Sequence, residues 1–157
     1  MRRNGTDLEG LEYGNAWELR PPDQPHSNWI IGDHPAIPTD SLRFLRHRSE
    51  APGRETPALV QNLSLKWFEH QLGDCPAWGQ AKPPSQGRSL SLLAGEGEFE
   101  LRFRRGPREL VLVLDVPGDY ALWGEGLEHS WRPLRPSSLL TLRWLPADDG
   151  AANHARP

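Results

Sequence analysis

Histidine, arginine and tryptophan carry most of the chemistry this chain can offer. Six histidines and seven tryptophans stand against one cysteine and one methionine in 157 residues. His129 closes the stretch Gly118-x5-Gly124-x-Gly126-x2-His129, in which turn-forming glycines lead to an imidazole. An imidazole titrates near neutral pH, so it can act as a general acid or base, ligate a metal, or simply hold a loop through a backbone carbonyl. His70 ends the run LSLKWFEH, where Ser64, Lys66, Phe68 and His70 alternate with Leu63, Leu65 and Trp67. If that polar face points inward, His70 and His129 approach each other, and Glu69, Asp74 or Glu125 can complete a non-standard metal site. The plainer reading of His70 is a solvated histidine at a strand end.

Lys66, Arg88 and Arg143 form a candidate cationic set, able to grip a carboxylate or phosphate through ammonium and guanidinium donors. The plainer reading is outward, solvated charge, because a one-residue shift in register reverses every side chain of a strand. Trp67 and Trp144 sit on otherwise apolar faces and are expected in the core. Trp123 and Trp131 flank the GEGLEH turn and are candidates for the mouth of a cavity, and Trp78 for a lid. Cys75, followed by proline in a polar stretch, lacks the paired His and Asn signature of a thiol nucleophile. GEGEF turns one strand toward the next rather than opening a helix, so it is no phosphate-binding loop. Basic residues are not interleaved with aromatics in the manner of a nucleic-acid groove.

The elements that must position these groups are short strands. Gly 15 and Pro 16 are spread along the chain and leave little room for long helices. EFELRFRRGPRELVLVLD (98–115) alternates Phe99, Leu101 and Phe103 with charged residues, turns at RRGPRE and returns through an apolar run, which predicts a β-hairpin. Further strands are predicted at Trp29–Ile31, Ser41–His47, Leu63–His70, Ser89–Leu93, Tyr120–Trp123 and Leu139–Leu145. In the last of these, Leu140, Leu142 and Trp144 share one face while Thr141 and Arg143 share the other. A long loop is expected over 72–88, the kind of connection that often carries function. Residues 1–27 read as an extended arm outside the core, with a short strand around Trp17–Leu19, and 147–157 as a disordered tail. The single expected domain therefore spans 28–146. About eight short strands without a helix predict an all-β, antiparallel barrel or double-stranded β-helix.

Composition narrows the classes of function. Charged residues make up 25%, the net charge is −3, and the mean hydropathy is −0.66, so no overall field favours nucleic acid or anionic lipid. One cysteine excludes an internal disulfide and cysteine-rich zinc modules. No apolar run approaches the roughly 18 residues of a membrane span, and no apolar stretch follows the basic opening, which leads to an expected cytoplasmic setting.

The segment Gly118 to His129 is similar to the second cupin motif, Gly-x5-Pro-x-Gly-x2-His, with Gly124 where that family usually has proline. LLAGEGEFEL (92–101) resembles the end of the first cupin motif, the hairpin between them matches the short inter-motif segment, and SSLLTLRW resembles the strand that follows. The resemblance spans roughly residues 60 to 145 and implies a small single-domain cupin-like jelly roll, expected as a homodimer. It also implies where ligands would stand. Counting back from Gly95 puts Arg88 at the family's glutamate and the stretch from Lys82 to Ser85 at its two histidines, leaving His129 alone of the four metal ligands. The expectation is a binding module for an anionic or carbohydrate-like small molecule, without the standard metal, its pocket formed from His70, His129, Lys66, Arg88, Arg143, Tyr120, Trp123 and Trp131. One alternative is a metal-dependent enzyme rebuilt on His70, His129 and Glu125, acting on a small organic acid or sugar. A metal-independent isomerase, with His129 as base and Tyr120 beside Asp119 as acid, is a catalytic variant of the binding reading. The remaining alternative is a structural or partner-binding barrel filled by its own side chains.

Overall fold

The alternation of 98–115 becomes two strands joined by a two-residue turn, and the rest of the chain is built against that hairpin. The structure, a computed structural model, describes residues 1–16, 29–31, 43–46, 58–76, 87–124 and 126–146. Eleven strands run through them: β1 (Arg2–Gly5), β2 (Leu11–Asn15), β3 (Trp29–Ile31), β4 (Arg43–Arg46), β5 (Ala58–His70), β6 (Arg88–Leu93), β7 (Glu98–Arg105), β8 (Arg108–Leu114), β9 (Asp119–Trp123), β10 (Glu128–Arg135) and β11 (Ser137–Pro146). All pairings among them are antiparallel, and the described residues contain no α-helix. One sheet has the order β1-β8-β7-β10 and the other β2-β9-β6-β11-β5-β4-β3. The chain switches repeatedly between them, giving a two-sheet jelly roll whose sheets share no ladder among the described residues.

The small sheet has one apolar face, and its other face is charged over β7 and β10, as period-two alternation allows. Phe99, Leu101 and Phe103 of β7 and Leu110, Leu112 and Leu114 of β8 are fully buried, packed with Leu93, Ala121, Trp123 and Leu139 of the large sheet. On the opposite face, Arg132 grips the Glu100 carboxylate with two donors, Nε at 2.8 Å and Nη2 at 3.0 Å. Arg104 pairs with Glu128 on the same two strands, so directly opposed residues carry opposite charge.

The large sheet buries side chains on both of its faces over β6 and β9. Its second face carries Leu90, Tyr120, Leu122, Leu142 and Trp144, all buried. Trp144 is therefore a core residue as expected. Trp67 is not: on the same face but farther out on β5, it is 66% exposed beside Leu65 at 62%.

Residues 1–27, expected as an arm outside the core, begin with two strands. β1 pairs with β8 in the small sheet and β2 with β9 in the large one, while Leu8 between them is buried in the core. The expected strand at Trp17–Leu19 and the tail 147–157 lie outside the described residues. β10 is a further strand that the sequence pattern does not announce. Its Pro133 sits at a register shift on the edge of the small sheet, where a residue without an N–H disturbs no ladder on its free side.

Candidate functional site

The inner face of the large sheet is graded in polarity along its strands. Across β6, β11 and β5, register aligns Leu93, Leu139 and Phe68 in one row, Ser91, Thr141 and Lys66 in the next, and Ser89, Arg143 and Ser64 in the third. The hydroxyls of Ser91 and Thr141 are hydrogen-bonded to each other at 3.1 Å. Facing this wall across a cavity of about 220 Å³ are Phe99 and Leu101 of β7 and His129 and Trp131 of β10, with Trp123 at one side. Lys66, His70, Trp123, His129, Trp131 and Arg143 all line that cavity, so the face carrying Lys66 and His70 does point inward.

Two aromatic groupings hold the imidazoles. His129 stands opposite Phe103 in the β7–β10 ladder, and its ring centre is 5.2 Å from that of Trp123, which meets Phe103 edge-on. Two glycines of the motif shape the turns on either side of β9: Gly118 before it and Gly126 in the turn that delivers His129 have φ values of 90° and 75°, a left-handed region that L side chains enter at a cost. His70 meets Trp131 edge-on at 4.4 Å and Phe99 at 5.1 Å, and Trp131 stacks on Phe99 at 5.5 Å. Burial among these rings lowers the pKa of His70 below its usual 6.5, against the opposing pull of Asp74, whose Oδ2 is 3.6 Å from Nδ1. The loop after β5 then reaches the small sheet, where the Ser130 hydroxyl donates to the Pro76 carbonyl at 3.1 Å.

Two expected site residues lie elsewhere. Arg88 shares the alternation of Leu90 and Leu92 and aligns with Trp144, so it belongs to the opposite face of the large sheet and packs near Gly124. Tyr120 is fully buried on that same face, and its hydroxyl donates to Glu12 at 2.9 Å. Neither lines the cavity. A Tyr120–His129 acid–base pair is incompatible with this placement. Asp119 is a structural residue, with Oδ2 accepting the backbone N–H groups of Asp115 and Val116 and Oδ1 accepting from Asn15. Glu69 is exposed and alternates away from His70, and Cys75 is an exposed free thiol. Glu125, Trp78 and the stretch from Lys82 to Ser85 lie outside the described residues.

Sequence reasoning passed over Ser91, Thr141, Phe68 and Phe99 as cavity residues. The signal for the hydroxyls was present in the alternation of Ser89 and Ser91 along SLSLL, a polar stripe on a strand otherwise made of leucine.

Among the described residues no group of three or more His, Cys, Asp or Glu is arranged to hold a metal ion. The cavity presents two imidazoles, an ammonium and a guanidinium, with no carboxylate among its described lining residues. This donor set does not fit a divalent metal, which takes three or more neutral or anionic protein ligands.

The architecture has counterparts among solved structures. The chain is similar to HEPD of Streptomyces albus, solved with 2-hydroxyethylphosphonate and Fe(II) bound, at 21% identity and a TM-score of 0.45, over 85% of this chain and 28% of that one. It is similar to the cupin domain of Drosophila melanogaster CENP-C at 17% identity and a TM-score of 0.42, over 74% of each chain. A third counterpart is hydroxypropylphosphonic acid epoxidase from S. wedmorenis, at 13% identity and a TM-score of 0.41, over 79% of this chain and 57% of that one. The chain spans under a third of the Streptomyces albus enzyme. No protein-family model matches its sequence, and no curated protein does.

Proposed function

We propose that this cupin-like chain is a binding module for a small anionic molecule, held between the two sheets. The observation that carries the reading is the cavity lining. Lys66 and Arg143 stand with the Ser91–Thr141 hydroxyl pair and two histidines, and the described lining residues include no carboxylate. A guanidinium and an ammonium beside hydroxyl donors form a ready seat for a carboxylate or phosphoryl group. The open volume also favours a ligand over a barrel filled by its own side chains, since a cleft of about 220 Å³ is left between the sheets.

Calorimetric titration with small carboxylates, phosphate monoesters and inorganic phosphate tests the proposal. Wild-type protein is expected to bind at least one of them, and the double variant Lys66→Met, Arg143→Met to lose at least tenfold in affinity. Failure of the wild type to bind any anion overturns the reading. The metal-dependent alternative makes a separate statement, namely one metal per chain, lost on His129→Ala. Native mass spectrometry of the untagged protein is expected to find none.

A further inference from the structure

The cavity is polarised, and the direction of that polarisation narrows the ligand. We infer that the site takes an amphiphilic anion built from one charged head joined to one flat apolar ring, rather than a sugar or a bare inorganic anion. The inference rests on the binding reading above and specifies the chemistry of its ligand.

The register on the large sheet supplies the argument. Arg143 and Lys66 occupy the two rows nearest one end, with Thr141 and Ser91 in line with Lys66, and the next row is Leu93, Leu139 and Phe68. Charge and hydroxyls therefore give way to hydrocarbon within one step of the pleat. Across the cavity, the apolar row is matched by Phe99 and Trp131, whose rings are near-parallel at an interplanar angle of 24°. His70 closes that end, and its burial among aromatic rings favours the neutral imidazole. A head placed at Arg143 and Lys66 thus projects its body between aliphatic and aromatic walls.

A sugar suits this end poorly. Its hydroxyls would lose water against Leu139, Phe68 and Phe99 with few donors or acceptors to replace it, and each unpaired group opposes binding. A flat ring loses little on leaving water and gains offset or edge-on contact with Trp131 and Phe99. Size points the same way: a cavity of about 150 Å³ accepts benzene, so the 220 Å³ here leaves room beyond one ring for a compact acidic head. A bare inorganic anion would engage Arg143 and Lys66 and gain nothing from the aromatic lining.

Calorimetric titration with benzoate, phenyl phosphate, glucose 6-phosphate and inorganic phosphate separates the possibilities, using wild type, Arg143→Met and Trp131→Leu. Benzoate or phenyl phosphate should bind at least tenfold more tightly than glucose 6-phosphate and inorganic phosphate. Arg143→Met should weaken the ring-bearing anions about tenfold or more. Trp131→Leu should erase most of their advantage while leaving inorganic phosphate unchanged, and circular dichroism checks that both variants fold. Equal or tighter binding of glucose 6-phosphate or inorganic phosphate would overturn this inference and leave the anion-binding reading standing. Absence of binding by all four probes would overturn both.

Discussion

His70 sits in an environment far from that of a solvated strand-end side chain. Its imidazole is packed against Trp131 and Phe99, its side chain is only 15% exposed, and burial lowers its pKa despite Asp74. The sign of the resulting linkage is fixed. As pH falls through the unfolded value near 6.5, the unfolded chain takes up a proton that the folded chain resists, so stability drops until the depressed folded pKa is passed and the loss is complete. Above 6.5 this contribution is absent. Urea denaturation at pH 5 and pH 8 should show a loss of stability at the lower pH, and His70→Gln should reduce that loss. At this scale alternation made shared faces legible, Lys66 with His70 and Arg143 with Thr141, while the direction of those faces, toward the cavity, was left open by a spacing that a one-residue shift reverses. Arg88 and Tyr120 were illegible for a physical reason. The large sheet buries both faces over β6 and β9, so apolar side chains stand on both sides of each strand and hydrophobicity cannot say which polar group looks into the cavity.

Among the elements, the turn from β8 to β9 depends on one carboxylate. Asp119 is 1% exposed and binds the N–H groups of Asp115 and Val116 as well as the Asn15 side chain. Asp119→Ala would strand those donors and should cost about 3 kcal/mol in urea denaturation. The next turn carries its own constraint. Gly126→Ala places a side chain at a φ of 75°, which should cost about 1–2 kcal/mol and shift the NMR signals of the His129 ring. The hairpin β7–β8 was fully legible because a period-two pattern and a tight turn agree. β10 was not, since Pro133 within EHSWRPLR argues against a strand until the edge position and register shift are known. β1 and β2 carry no periodic signal in RRNG and LEYGN. Pairing with β8 and β9, and the burial of Leu8, make them strands.

For the molecule as a whole, cavity and core are one space: Phe99, Leu101, Trp123 and Leu139 belong to both. Whatever fills the cavity therefore stabilises the packing of one sheet on the other, and by mass action a ligand at a hundred times its Kd should add about 2.7 kcal/mol to the folded state. Thermal denaturation with and without benzoate reads this directly. The position of β11 has a different consequence, one of timing. It lies between β5 and β6, yet it is the last of the described strands to leave the ribosome. Until residues 137–146 emerge, the nascent chain has two fragments of a sheet, each with a bare edge and no ladder joining them. Folding must wait for the far end of the sequence, so an arrested chain ending at Pro136 should remain protease-sensitive while one carried past Pro146 becomes resistant.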